Sequence, residues 1–284
     1  MSRPPNDPQT TPSQSQPIVE KSLLIVESPL LIVEKLSVAF GTRPAVDNVS
    51  FTLECGRTLG LVGESGSGKS TVALALMGLL PPAARILSGA IRFDGTDVIG
   101  ASGKALNALR GRRIAMIFQE PTAALDPVMT IGDQVAEPFV IHQRQSWKNA
   151  RAEARRLLER VGIPADRAGS YPFELSGGQR QRAMIASAIA LKPALLVADE
   201  PTTALDVTVQ KDILDLLLDL QAEIGMAMVF ISHDLAVVSG MADTIAVMQA
   251  GAVVEQGPAN AVINNPREPY TQALLEAART RIPT

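Results

Sequence analysis

Residues Gly63 to Ser70 read Gly-Glu-Ser-Gly-Ser-Gly-Lys-Ser. They fit the pattern of Gly, four free positions, Gly, Lys, then Ser or Thr. An apolar run, Thr58-Leu59-Gly60-Leu61-Val62, precedes them as a buried strand, and Thr71 to Leu79 follow with helix-compatible spacing. That strand–loop–helix context constrains the fold, because such a loop belongs at the edge of an α/β sheet. Gly63, Gly66 and Gly68 let a backbone wrap an anion without a Cβ in the way. The amides at the helix start then point at phosphate oxygens, and the helix dipole favours their charge. In such a loop Lys69 reaches the outer phosphates and the Ser70 hydroxyl holds Mg²⁺. A Gly/Ser turn before a helix is the plain alternative, and the flanks argue against it.

The 284 residues are room for one large domain or two small ones, and a 46% hydrophobic, 19% charged chain suits a sizeable core. A formal net charge of −3 offers no global field to nucleic acid, and no nucleic-acid partner is expected. Arg151, Arg155 and Arg156 cluster, but Glu153 and Glu159 sit among them, as on a solvated helix face. The single Cys55 excludes an internal disulfide and fits a reducing compartment. No apolar run approaches the ~18 residues of a membrane span.

Residues 1–17 are rich in Pro, Gln, Ser and Thr, the composition of a disordered tail without a secretory signal. Leu-Leu-Ile-Val-Glu then occurs twice, at 23–27 and 30–34; the second copy reads as the first true strand and 1–29 as a duplicated tail. From Leu30 the pattern is α/β. Strands are expected near 31–38, 47–53, 57–62, 113–118, 194–198, 227–231 and 244–249. Helices are expected near 69–79, 147–161, 178–190, 208–224 and 258–264. Between Gln119 and Pro172 strand signals vanish, which predicts a helical insertion. An amphipathic helix entered through Pro269 closes the chain.

Two further stretches carry chemistry. Ala194 to Ala198 form an apolar strand ending in Asp199-Glu200, where open α/β sheets bind ligands. Asp199 fits a Mg²⁺-water ligand, and Glu200 a base or orienter for an attacking water. Leu175-Ser176-Gly177-Gly178-Gln179 precedes a long helix and makes a second anion-binding end, although Ser176 as a plain N-cap would account for it too. One triphosphate needs two such ends only if two copies of the chain share it.

Together these stretches resemble the nucleotide-binding subunit of an ATP-binding cassette (ABC) transporter over residues 31 to 265, element by element and in order. Gly63–Ser70 resembles the Walker A loop, which with Thr71 implies ATP contacts from Glu64, Ser65, Gly66, Ser67, Gly68, Lys69 and Ser70. Gln119 resembles the Q-loop glutamine, implying roles toward both Mg²⁺ and the attacking water. Leu175–Gln179 matches the LSGGQ signature, and Leu195–Asp199 with Glu200 resembles Walker B and its catalytic glutamate. Ala204-Leu205-Asp206 resembles the D-loop, His233 the switch histidine, and Phe40 the aromatic that stacks on adenine. The implied fold is an α/β P-loop NTPase core, residues 30–265, with an antiparallel β subdomain and a helical insertion at about 119–174. The implied cofactors are ATP and Mg²⁺. Two subunits would face head to tail, Ser176, Gly177, Gly178 and Gln179 of one closing on the ATP of the other.

Several segments narrow the resemblance to the dipeptide/oligopeptide/nickel importer group. They are Phe118-Gln119-Glu120-Pro121 running to Gly132, Tyr171-Pro172-Phe173-Glu174, Glu200 to Gln210, and Asn265 to Leu275. The last resembles the group's C-terminal His-Pro-Tyr motif, with Glu268 in place of His, in a 266–284 extension. Longer members carry a cysteine cluster there; this chain has no cysteine beyond Cys55, and no iron–sulfur centre is expected. The resemblance implies a second ATPase subunit, identical or homologous, two membrane permeases and an external solute-binding protein. It places the chain peripherally on the cytoplasmic face of the inner membrane. Peptides lead as cargo, with nickel, opines and glycosides open; the alternative is a soluble ABC-type ATPase with no membrane partner.

Overall fold

Successive residues of the central parallel strands alternate between two apolar cores, so both faces of one sheet are covered. The computed structural model describes Met1 and residues 29–280; residues 2–28, which include the proposed tail and the first copy of the repeat, lie outside the described residues, as do residues 281–284. The chain runs β1 (Leu31–Phe40), β2 (Arg43–Leu53), β3 (Thr58–Val62), α1 (Lys69–Leu76), β4 (Ala84–Phe93), β5 (Thr96–Asp97), α2 (Gly103–Leu109) and β6 (Ile114–Ile117). A helical stretch follows: α3 (Pro121–Ala124), α4 (Ile131–Gln143), α5 (Trp147–Arg160), two 3₁₀ turns (Ala165–Gly169 and Pro172–Glu174) and α6 (Gly177–Ile189). The chain then returns to β7 (Leu195–Asp199), α7 (Val207–Ile224), β8 (Ala227–Ser232), α8 (Leu235–Met241), β9 (Thr244–Gln249), β10 (Ala252–Pro258), α9 (Ala259–Asn264) and α10 (Pro269–Thr280).

One sheet has the order β10-β9-β3-β8-β7-β6 and the other the order β2-β1-β4-β5. In the first, β9, β3, β8, β7 and β6 are parallel and β10 is an antiparallel edge. The second sheet is antiparallel throughout. On the parallel strands Leu59, Leu61, Leu195, Val197, Val229 and Ile231 face one core, which α1 and the antiparallel sheet close. Val62, Leu196, Ala198, Met228 and Phe230 face the other, closed by α4 to α8. A strand buried on both faces reads as a continuous apolar run, which is why these strands are visible in the sequence.

Gly60 interrupts the run for a packing reason. A Cβ there would lie 2.2 Å from Val238 Cγ1 and 3.0 Å from Ala242 Cβ, so α8 can press against β3 only over a glycine. Within the helical stretch, Ala150, Ala154 and Leu158 are fully buried at helical spacing on α5, leaving its arginines outward. Arg151 turns back to Asp133, with Nε to Oδ1 at 2.6 Å and the second nitrogen to Oδ2 at 3.1 Å.

Strands β4 and β10 are not expected from the sequence, and each has a physical reason for being hidden. The alternation of β4 breaks at Ser88-Gly89, where its pairing with β1 shifts register and Gly89 takes φ +100°. β10 is a half-exposed edge ending in Gln256-Gly257-Pro258, with no continuous apolar face.

Candidate nucleotide site

Strand order alone assembles the chemistry. The parallel strands β3, β8, β7 and β6 are neighbours, so their C-terminal ends lie along one edge of the sheet. Those ends deliver, in spatial order, the Gly63–Ser70 loop, His233, Asp199 with Glu200, and Gln119. This edge is where open α/β sheets bind ligands.

The loop is already wrapped. Lys69 is 3% exposed and folds its ammonium back, donating to Gly63 O at 2.7 Å and Glu64 O at 2.8 Å. Gly68 caps α1 in a left-handed conformation, φ 101°, where a Cβ would meet Ala45 O at 2.3 Å. Gly63 sits under Met248 O in the same way, and Gly251 N donates to Ser67 O at 3.1 Å. The loop therefore rests on β2 and the β9–β10 hairpin. Glu64, Ser65 and Gly66 are exposed at its shoulder, Ser67 is buried, and Thr71 is half-buried in the first turn of α1. Phe40 ends β1 with 37% of its surface exposed, at the mouth of the β1–β2 hairpin that leads to Ala45.

Ser70 Oγ donates to Asp199 Oδ1 at 3.2 Å. Burial raises the proton affinity of Asp199 against that hydrogen bond; the Glu200 charge adds to the rise and Lys69 opposes it. Lys69 is shifted down by burial, although Glu200, Asp199 and Glu64 all pull it back. A buried carboxylate beside a hydroxyl, both hard oxygen donors, fits Mg²⁺, which takes one or two protein oxygens and completes its shell with phosphate and water.

Glu200 follows with backbone φ 46°, an unfavourable value for a non-glycine residue. That turn brings its carboxylate inward, where Oε2 meets Gln119 Nε2 at 3.3 Å, Thr203 Oγ1 at 2.9 Å and His233 Nδ1 at 3.2 Å. Glu64, Ser65, Glu200 and His233 line one cavity of about 440 Å³, with Leu274 and Ala278 of α10 as its far wall. Two contributors were not singled out in the sequence. Thr203 could have been found as the hydroxyl three residues past Glu200 in the same turn. Tyr270, whose hydroxyl accepts the Glu64 N–H at 3.0 Å, is the tyrosine of the C-terminal motif, but nothing local in that motif sets it against the loop.

The signature residues lie elsewhere. Ser176 and Gln179 form a capping box at the start of α6, Ser176 Oγ accepting Gln179 N at 3.3 Å and Gln179 Oε1 accepting Ser176 N at 3.1 Å. A Cβ on Gly178 would meet Val209 Cγ1 at 2.8 Å, so α6 and the start of α7 approach closely. Gly177 lines a separate cavity of about 320 Å³ with Gln119, Thr203 and Leu205. Asp206 caps α7, accepting Val209 N at 3.0 Å. Within one chain, then, the Walker A and Walker B residues converge, and Ser176, Gly177, Gly178, Gln179 and Asp206 do not join them.

Comparison with known proteins gives the family of the chain. Residues 46–203 match the family model described as ABC transporter. The dipeptide transport ATP-binding protein DppD of Escherichia coli K12 is 50% identical over 86% of this chain and 76% of its own length. A putative peptide import ATP-binding protein of Brucella melitensis biotype 1 is 51% identical over 82% of this chain and 71% of its own. Among solved structures, the ATP-binding cassette MJ0796 in a dimeric post-hydrolysis state bound to ADP and Pi superposes with TM-score 0.72 and 28% identity, covering 81% of this chain and 98% of that one. The fold is thus an ABC-type α/β nucleotide-binding domain, and its family binds and hydrolyses ATP. The chain belongs to the ABC transporter family, as one of its ATP-binding subunits.

Proposed function

We propose that this chain hydrolyses ATP to drive peptide import through a multisubunit transporter. The observation that carries the catalytic half is the convergence on Glu200 Oε2 of Gln119, Thr203 and His233 beside the Lys69 loop. With Oε2 engaged by these neighbours, Oε1 is the atom presented to a water. Glu200 takes a proton from that water as its oxygen attacks the γ-phosphorus, and the bond to the bridging oxygen of ADP breaks. Lys69 and the loop amides hold the outer phosphates, and charge developing there is met by preorganised donors. Ser70 and Asp199 would hold Mg²⁺, which supplies neutralisation of the phosphate charge.

The signature residues serve the site of a second ATPase subunit, identical or homologous, in a head-to-tail pair. Their separation from the Walker residues within one chain supports that reading. The chain would work on the cytoplasmic face of the inner membrane through two permeases and an external binding protein. Among the described residues no helix is long and apolar enough to cross a membrane. The permease would seat in the cleft of about 380 Å³ between core and helical stretch, lined by Met77, Phe118, Leu125, Met129 and Met184.

Peptide cargo is supported by the names of the relatives. Uptake of a labelled dipeptide in cells lacking this chain tests it. Restoration by the unmodified chain but not by Glu200→Gln is expected. Normal uptake without the chain, with uptake of another solute lost, would overturn the peptide reading.

A further inference from the structure

The glycine-rich loop has a support that its own sequence neighbourhood does not supply. At the exposed shoulder Glu64–Gly66, the Glu64 N–H donates out of the loop to the Tyr270 hydroxyl on α10, across 206 residues of sequence. Burial raises the proton affinity of the phenol, in spite of the Glu64 amide. At neutral pH it therefore stays protonated, with an oxygen able to accept that N–H.

α10 is itself held firmly. Leu275 is buried, and Tyr270 and Leu274 pack on the core shared by α8 and β8. The turn before α10 is pinned by Glu255 of β10, whose carboxylate accepts Arg267 N at 2.8 Å and Glu268 N at 3.2 Å. Gln272 Nε2 closes the turn onto Pro266 O at 3.0 Å. The helix that α10 packs on, α8, starts two residues after His233. One rigid element thus touches the shoulder of the phosphate loop and braces the segment carrying the switch histidine.

We propose that Tyr270 is a positioning residue for nucleotide binding. It holds the exposed shoulder of the loop in its phosphate-receiving shape and couples that shoulder, through α10 and α8, to the His233 segment. Preordering a loop reduces the ordering cost left for the ligand. The proposal rests on the assignment of the loop to ATP.

The test is equilibrium binding of Mg–ATP and ADP to the full chain. Tyr270→Phe deletes the hydroxyl and should raise both dissociation constants about 3–10-fold, the size of one neutral hydrogen bond. Glu64→Pro deletes the N–H, and Glu64→Ala keeps it. The proline variant should bind more weakly than the alanine variant by a similar factor, and that difference should vanish when Tyr270→Phe is also present. A merely structural role would lower the melting temperature without such coupling. Unchanged constants in Tyr270→Phe, or a proline–alanine difference that persists undiminished beside it, would overturn the proposal. If Glu64→Pro does not fold, Tyr270→Phe alone decides. An unmodified chain that binds no nucleotide would instead overturn the ATP assignment itself.

Discussion

His233 and Glu200 meet through a single oxygen, Nδ1 lying 3.2 Å from Oε2. The histidine ends β8 and the glutamate ends β7, so the contact exists because those strands are parallel neighbours in register, Asp199 beside Ile231. His233 is about half exposed while Glu200 is largely enclosed. Both side chains line the same cavity, the ring as its more exposed member. His233→Ala should lower turnover by at least about tenfold, within the range of a positioned polar group, and leave the nucleotide dissociation constant within about twofold. Parallel measurement of kcat and equilibrium binding separates the two effects.

Asp199 is buried, and its carboxyl titrates above its usual range because of that burial. The unfolded chain releases this proton near pH ~3.9, before the folded chain does. Stability is therefore lost as pH rises from there through the folded value, and the loss is complete above it. Asp199→Asn removes that penalty. The nucleotide-free variant should melt higher than the unmodified chain, by about 2–4 °C for each kcal/mol relieved, and its advantage should grow as pH rises from 4 to 7. The same variant should lose the extra thermal shift that Mg²⁺ adds to nucleotide. Melting curves across pH, with and without Mg²⁺, check both.

Gly60 is a packing requirement. With Val238 Cγ1 standing 2.2 Å from where a Cβ would be, Gly60→Ala forces α8 away from β3. A cost of about 1–3 kcal/mol is expected from overpacking, read as a lower urea midpoint with unchanged slope. Because α8 follows His233, turnover should fall further than stability alone accounts for.

Ser176 heads α6 away from the chain's own phosphate loop. In a Glu200→Gln background, ATP should convert monomer to dimer, alone or with a partner cassette, and Ser176→Ala should prevent it. Loss of the cap by itself costs about 1 kcal/mol, so the variant should remain folded by its melting curve. Sizing with and without ATP reads the result. Dimerisation that persists in the folded Ser176→Ala variant would contradict the shared site.

Much of this architecture could be read from the chain because each reactive residue ends a strand buried on both faces. Leu195–Ala198 before Asp199 and Leu59–Val62 before Gly63 are apolar without interruption, save Gly60, and the sheet edge follows from them. What stayed hidden depends on distant pairing. β4 is masked by its bulge at Gly89, and β10 is a polar edge. The supports of the loop, Ala45 O, Met248 O and the Tyr270 hydroxyl, are backbone or remote groups whose role no local pattern encodes. Thr203 was within reach of the sequence, one turn from Glu200, but its hydroxyl gains meaning only once Glu200 Oε2 is placed.

The central claim is that Glu200 activates water at a site where Lys69 holds the phosphates. The direct measurement is steady-state ATP hydrolysis together with equilibrium ATP binding for Glu200→Gln and Lys69→Ala, with the partner cassette present where one is needed. Glu200→Gln should keep nucleotide affinity within about twofold and lose at least about 100-fold in turnover, the scale of a general base. Lys69→Ala should weaken binding itself about 10–100-fold, the scale of a charge-assisted contact. Near-normal turnover in Glu200→Gln would contradict the account, because the three groups converging on that carboxylate would then have no catalytic purpose.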